Sequence, residues 1–187
     1  VAHLLFTGFK ACGKTTIGRL VAARLGRRFV DLDEVIEEIH AGEGERLPFR
    51  GIYESVGPEA FRELEYEAAC LTAERAAEAE RHDRALVVAL GGGSLTQPRT
   101  RDLLTTVGLL VYIRVPLEEM LRRVRENGYP AFLKSSDPEN EFAGVFRERE
   151  PLYLEHAELV VDVADRLPEE ATAFVLAQLK DLRGIEP

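Results

Sequence analysis

The residues with the clearest chemical meaning are Gly8-Phe9-Lys10-Ala11-Cys12-Gly13-Lys14-Thr15, which fit the pattern G-x-x-x-x-G-K-[ST]. An apolar run, Leu4-Leu5-Phe6, precedes them, and a helical pattern with Ile17, Leu20, Val21 and Leu25 on one face follows. That strand-loop-helix setting is what gives the motif its meaning. Gly8 and Gly13 let the backbone turn so that its N–H groups point inward at phosphate oxygens, and the helix starting near Lys14 adds its positive end. Lys14 is expected to reach the β- and γ-phosphates, and the Thr15 hydroxyl to bind a Mg²⁺ ion riding on them. Lys10, Ala11, Cys12 and Thr16 complete the loop and the first helical turn. This is the pattern of a nucleotide-phosphate site.

Asp31 and Asp33 form the second signal, at the carboxyl end of the next strand pattern. Ligands bind at that edge of a parallel sheet, and residues two apart at a strand end point to the same side. One carboxylate can hold a water on Mg²⁺ while the other accepts a hydrogen bond from a substrate hydroxyl. The competing reading is helix capping by Asp33 with Asp31 solvated. Gly91-Gly92-Gly93 follows a third strand pattern and permits close backbone approach by a ligand. Arg62 and Arg149 are candidates for a carboxylate fork, although a lone helix arginine is more commonly a solvated ion pair. The histidines at 3, 40, 82 and 156 share no metal-ligand spacing, and none is assigned chemistry.

Positioning these groups requires short strands alternating with helices, an α/β fold with a parallel sheet. Strands are expected at 3–6, 28–31, 85–90, 109–113 and 159–163, and helices near 14–25, 33–40, 57–80, 98–105, 117–125 and 168–182. The third and fourth strands are continuously apolar, as central strands covered on both faces should be. Residues 126–146 mix turn formers with scattered aromatics and read as an irregular lid that excludes water from the site.

The chain has 187 residues, enough for one domain with a substantial core. A formal charge of −9 argues against a nucleic-acid surface. Two cysteines, Cys12 and Cys70, are too few for a disulfide framework and fit a reducing compartment. No apolar run approaches a membrane span, and with the N-terminus committed to the first strand no signal peptide is expected. The expectation is a cytoplasmic, monomeric protein with small-molecule partners, no nucleic acid and no membrane.

The ordered set GxxxxGKT at 8–15, DLD at 31–33, FRELE at 61–65, GGG at 91–93 and REPLY at 149–153 resembles the shikimate kinases, from about residue 3 to 180. The resemblance implies a three-layer P-loop kinase fold: a five-stranded parallel sheet flanked by helices. A substrate-binding subdomain is expected at about 33–66 and a lid at about 122–147. It implies transfer of the γ-phosphoryl group of ATP to the 3-hydroxyl of shikimate, with Mg²⁺. By resemblance, Asp33 holds shikimate hydroxyls and is the candidate proton acceptor. Arg62 and Arg149 clamp the carboxylate, and Glu65 orients them. Gly92 offers its backbone to a ring hydroxyl, and Phe61 with Tyr53 forms an apolar wall. Lys14 and Thr15 serve phosphate and Mg²⁺, with Asp31 in the shell beyond the metal's ligands. Arg122 and the segment around Pro168 would lie against the adenine.

Four departures stand out. The family's lid usually reads R-P-L-L, and here Tyr129 stands where that arginine approaches the transferring phosphoryl group. Lys10, Arg125 and Lys134 are the candidate replacements. Ala11 stands where glycine is common, Pro58 where glutamate is usual, and the stretch 41–50 is longer by about five residues, adding Glu43, Glu45 and Arg46. Two other readings stay open: a kinase for a different hydroxy or sugar acid, and a nucleotide-binding regulatory protein with reduced catalysis.

Overall fold

A strand whose residues are all apolar must be covered on both faces, and two such runs lie in this chain. The computed structural model describes residues 2–42, 47–130, 133 and 135–185. Its strands are β1 (Leu4–Thr7), β2 (Arg28–Asp31), β3 (Leu86–Ala89), β4 (Leu109–Arg114) and β5 (Leu159–Asp162). Its helices are α1 (Lys14–Arg24), α2 (Leu32–Gly42), α3 (Phe49–Glu80), α4 (Pro98–Val107), α5 (Leu117–Asn127), α6 (Pro138–His156) and α7 (Pro168–Arg183). All strand pairs are parallel, in the order β2-β3-β1-β4-β5. The two apolar runs, β3 and β4, flank β1. Helix α1 packs on β1, β2 and β3 and beside α7, while α3 runs beside α2 and α4. Leu4, Leu5, Phe6, Val87, Val88, Val111 and Ile113 are fully buried where these layers meet.

All five expected strands form, as do the six expected helices. Helix α3 starts eight residues ahead of the expected 57 and bends where that start was expected. Gly57 takes φ 79°, ψ 170°, a conformation open to glycine, and Pro58 after it has no N–H to give the helix. The first limb packs Phe49 and Ile52 inward, and Glu37 Oε1 of α2 accepts from Phe49 N at 2.7 Å. Glu43, Glu45 and Arg46 lie outside the described residues.

The irregular reading of 126–146 is corrected more substantially. Helix α5 continues to Asn127, and α6 begins at Pro138, so both ends of this stretch are helical. Asp137 caps α6 by accepting from Asn140 N at 3.2 Å, and Pro138 takes the first helical position. The scattered aromatics are one helical stripe. Phe142 and Phe146 dock on the Phe9 ring with centroids 4.7 and 5.5 Å away, and Tyr153 lies two turns further along. The buried His3 Nδ1 accepts from Leu86 N at 2.9 Å and so ties β1 to β3. Among the described residues, Cys12 and Cys70 are unpaired, and no helix is long and apolar enough to cross a membrane.

Phe142 has no exposed surface and bridges α6 to the loop after β1. Phe142→Ala should cost about 3–5 kcal/mol of folding free energy. Leu167→Ala, at a 68 % exposed position, should change it by less than about 0.5 kcal/mol. Urea unfolding followed by circular dichroism measures both.

Candidate active site

Strand register decides what meets at the carboxyl edge of the sheet. Phe6 pairs with Ala89, and Ala89 with Asp31, so the three lie level in neighbouring strands. Gly8, Gly91 and Asp33 each stand two residues further on and emerge side by side. Above them opens a cavity of about 680 Å³. Its walls come from the loop after β1, the first turn of α2, both limbs of α3, the glycine run, the end of α5, α6 and the loop after β5.

The loop after β1 wraps inward. Gly8, Ala11 and Gly13 all take positive φ, at 149°, 67° and 93°. Lys10, Ala11, Cys12, Gly13, Lys14, Thr15 and Thr16 line the cavity. Gly8 lies beneath them, where an added Cβ would stand 2.8 Å from both Cys12 Sγ and Ile113 O, so only glycine fits. Lys14 Nζ rests 3.5 Å from the Phe9 carbonyl oxygen, and Gly13 caps α1 at its positive end. The Thr15 hydroxyl donates to Asp31 Oδ2 at 3.0 Å, while Asp31 Oδ1 accepts from Asp33 N at 3.0 Å. Asp31 thereby supports both the loop and the start of α2. A hydroxyl beside a buried carboxylate at a phosphate cradle is an oxygen-donor set suited to Mg²⁺.

Asp33 stands half-buried on the cavity wall. Its Oδ1 is fully withdrawn from water and makes no hydrogen bond among the described residues. Desolvation raises its pKa to about 6, opposed by Lys14 and Lys10 and assisted by Asp31 and Glu65. A methyl built on Gly91 would lie 3.1 Å from this oxygen and 3.1 Å from the buried, unbonded Ser94 hydroxyl. Two unsatisfied oxygens thus converge on one bare backbone position, the condition for receiving a ligand hydroxyl.

Two arginines meet beside them. Arg62 pairs with buried Glu65, whose carboxyl is pushed up by burial and held back by Arg62 and Arg149. A methyl on Gly93 would lie 2.9 Å from Arg62 Nη1, 3.5 Å from Glu65 Oε1 and 3.7 Å from Arg149 Nη1. Arg149 also donates to Gly92 O at 3.2 Å, and the Tyr153 hydroxyl donates to the same carbonyl at 2.5 Å. Burial keeps that hydroxyl protonated. Phe61 stacks edge-on against Phe49 and Tyr53, with centroids 5.2 and 5.1 Å away, and the three form an apolar wall. This end offers two guanidinium groups, one buried carboxylate and an aromatic face to a small hydroxylated anion.

At the other end, Pro168 lines the cavity with Val163, Arg166 and Ala171. Arg122 is not among the lining residues; it turns outward to Glu119 and Glu126. Its neighbour Arg123 lines the cavity instead and donates to Ala11 O at 3.0 Å. On α5 the buried residues are Met120 and Val124, and one step along a helix turns a side chain by about 100°. That step separates inward Arg123 from outward Arg122. Tyr129 lines the cavity and donates its hydroxyl to Glu139 Oε1 at 3.0 Å. Arg125 grips the same carboxylate with two hydrogen bonds of 2.6 Å. Lys134 lies outside the described residues. Sequence reasoning missed Arg123, Arg166, Ser94 and Tyr153, although Tyr153 lay within a motif it quoted.

A phosphate cradle facing a carboxylate with raised pKa and two clustered arginines suits phosphoryl transfer to a hydroxyl of a small acid. The family model described as shikimate kinase matches residues 10–180. A shikimate kinase of Burkholderia lata is 33 % identical over 184 residues, 98 % of this chain and 92 % of that protein. The structure of shikimate kinase from Acinetobacter baumannii in complex with shikimate superposes with a TM-score of 0.81 at 29 % identity, covering 98 % of this chain and 96 % of that one. Shikimate kinase from Aquifex aeolicus superposes with a TM-score of 0.75 at 26 % identity, covering 97 % and 99 %. With its motifs in order, its sheet in this topology and near-complete coverage of these relatives, the chain belongs to the shikimate kinase family of ATP-dependent phosphotransferases.

Proposed function

We propose that this protein transfers the γ-phosphoryl group of ATP to the 3-hydroxyl of shikimate, giving shikimate 3-phosphate and ADP. The observation that carries this reading is the unbonded, buried Asp33 Oδ1, lying in one cavity with the phosphate loop and the Arg62–Arg149 pair. Arg62 and Arg149 take the acceptor's carboxylate, and Glu65 holds the two guanidinium groups in register through charge. Phe49, Tyr53 and Phe61 cover one face of the ring. Asp33 Oδ1 accepts the hydroxyl proton as the hydroxyl oxygen bonds to the γ-phosphorus and the bond to the ADP oxygen breaks. Lys14 and the N–H groups of the loop hold the β- and γ-phosphates. Thr15 and Asp31 would hold Mg²⁺, which when bound neutralises charge on the phosphates.

Arg166 and Pro168 take the nucleotide end of the cavity. Residues of about 33–66 act as the acceptor-binding part and about 122–147 as the lid. Of the cations that can answer for the family's lid arginine, Arg125 is engaged by Glu139, whereas Lys10 faces the cavity beside Asp33. Lys10 is therefore assigned the transferring phosphoryl group.

A coupled ADP-release assay with Mg²⁺–ATP should show turnover with shikimate and at least about tenfold less with gluconate and other sugar acids. ATP binding without acceptor-dependent ADP release would point instead to the regulatory reading.

Asp33→Asn should lower kcat by about 10²–10⁴-fold. In the wild type, kcat/KM should fall about tenfold per pH unit below about 6, where Asp33 becomes protonated. The stability effect has the opposite sign. A carboxyl ordinarily near 4 and raised to about 6 favours the unfolded state increasingly as pH climbs between those values. Asp33→Asn should therefore stabilise the unliganded protein by up to about 2–3 kcal/mol at pH 7 and by nothing near pH 4. Unfolding curves at the two pH values read this directly.

Arg62→Lys and Arg149→Lys keep the charge and lose the fork. Each should raise KM for shikimate by about tenfold or more while moving KM for ATP less than about threefold. Steady-state kinetics with each substrate varied in turn tests the clamp.

A further inference from the structure

Ala11 is the one residue of the phosphate loop whose backbone is at odds with its side chain. Among the described residues, three that are not glycine have positive φ: Ala11 at 67°, Asp83 at 54° and Asp165 at 57°. Aspartate visits this region because its side chain can bond locally, whereas alanine has no such group. A left-handed L-residue is disfavoured by about five- to thirtyfold against its right-handed form. Something outside the loop must hold Ala11 in that shape.

The candidate is specific. Arg123 Nη1, from α5, donates to the Ala11 carbonyl at 3.0 Å. Arg123 Nε donates to Glu119 Oε1 at 2.8 Å, one helical turn back. Arg122 fixes that carboxylate in turn, donating from Nε to Oε2 and from Nη2 to Oε1, each at 2.8 Å. Hydrogen bonds from Arg122 and Arg123 hold Glu119 down to about 2, so the carboxylate stays ionised throughout the working pH range. The chain of contacts runs Arg122 to Glu119 to Arg123 to Ala11, and it ends on the carbonyl whose rotation would collapse the cradle.

We propose that Arg123 is a positioning residue for the phosphate loop: braced by Glu119, it holds the Ala11 carbonyl so that a left-handed alanine can serve where glycine would adopt the shape unaided. This rests on the reading of the cavity as an ATP site. Arg122, turned away from the cavity, takes part at one remove by fixing Glu119. Lysine cannot replace Arg123 fully, because a single ammonium on a flexible stem lacks the planar fork that spans Glu119 and Ala11 at once.

A double-mutant cycle tests the idea, with Mg²⁺–ATP affinity measured by titration calorimetry. Arg123→Ala should weaken ATP binding by about five- to thirtyfold, following the preference it no longer opposes. Arg123→Lys should fall between it and the wild type. KM for shikimate at saturating ATP should stay within about twofold, since Arg123 acts through the loop and not on the acceptor. In the Ala11→Gly background, Arg123→Ala should weaken ATP binding by less than about threefold, because glycine takes positive φ unaided. Glu119→Gln should show a smaller loss with the same rescue, which guards against misfolding of the arginine variant. An equal loss in both backgrounds would mean that Arg123 acts on the nucleotide itself, and the proposal would be wrong. So would it be if Arg123→Ala bound ATP like the wild type. A wild-type protein that binds no ATP would instead overturn the nucleotide reading, and this inference with it.

Discussion

The site exists because β1 lies between β3 and β4 in a sheet whose strands all run the same way. Parallel strands discharge their following loops at one edge, and the level pairing of Phe6, Ala89 and Asp31 sets those loops at one height. A register slip of one residue in β2 would turn Asp31 and Asp33 to the other face and remove the carboxylate from the phosphate cradle. The apolar continuity of β3 and β4 guards against such a slip, since both faces of these strands are buried and the covering helices fix their positions. Placement of the candidate site's groups is thus delegated to packing of Leu, Val and Ile.

That packing carries an electrostatic load at its edge. Asp33 and Glu65 are withdrawn from water with their carboxyl groups pushed up, while burial disfavours the charge on Arg149. These groups are not arranged for the comfort of the empty protein. Among the described residues Asp33 Oδ1 and the Ser94 hydroxyl have no hydrogen-bond partner, and Gly91 leaves open the space where a ligand oxygen would satisfy both. Unsatisfied buried polar atoms are rare because each costs stability, so two of them facing one opening mark the place where stability and function diverge.

Much of this was legible in the sequence, and the reason is local chemistry. The phosphate loop, the Asp31–Asp33 pair and the glycine run are compact in sequence and tied to strand ends, so their shared edge follows once the strands are parallel. Helix α6 was not legible as a helix in either half, since no helix was expected between 125 and 168. Its charges and turn formers hid Phe142 and Phe146, whose partner Phe9 lies far back in the chain. The resemblance pointed to Arg122, whereas Arg123 lines the cavity; one step of helical phase separates them, and only the burial of Met120 and Val124 fixes that phase. The bond from Arg123 to Ala11 was beyond reach for the same reason as Phe9: it joins residues 112 apart. Helix α3 began where expected only in its second limb, because Gly57-Pro58 punctuates the sequence as a start when it is a bend.

The sheet order has a kinetic side. Leu4 pairs with Val87 on one edge of β1 and with Leu109 on the other, and neither neighbour follows β1 directly in the chain. No strand pair in this sheet is a hairpin, so each ladder closes a long loop before its hydrogen bonds form. Such a high contact order slows the search for the native arrangement. During synthesis β1 must wait for β3 to pair one edge and for β4 to pair the other. Helices α1 and α3 can form beforehand from local contacts, which gives the waiting strand an apolar surface to lie against. The phosphate loop is therefore made well before the walls around it, which α5, α6 and the loop after β5 complete.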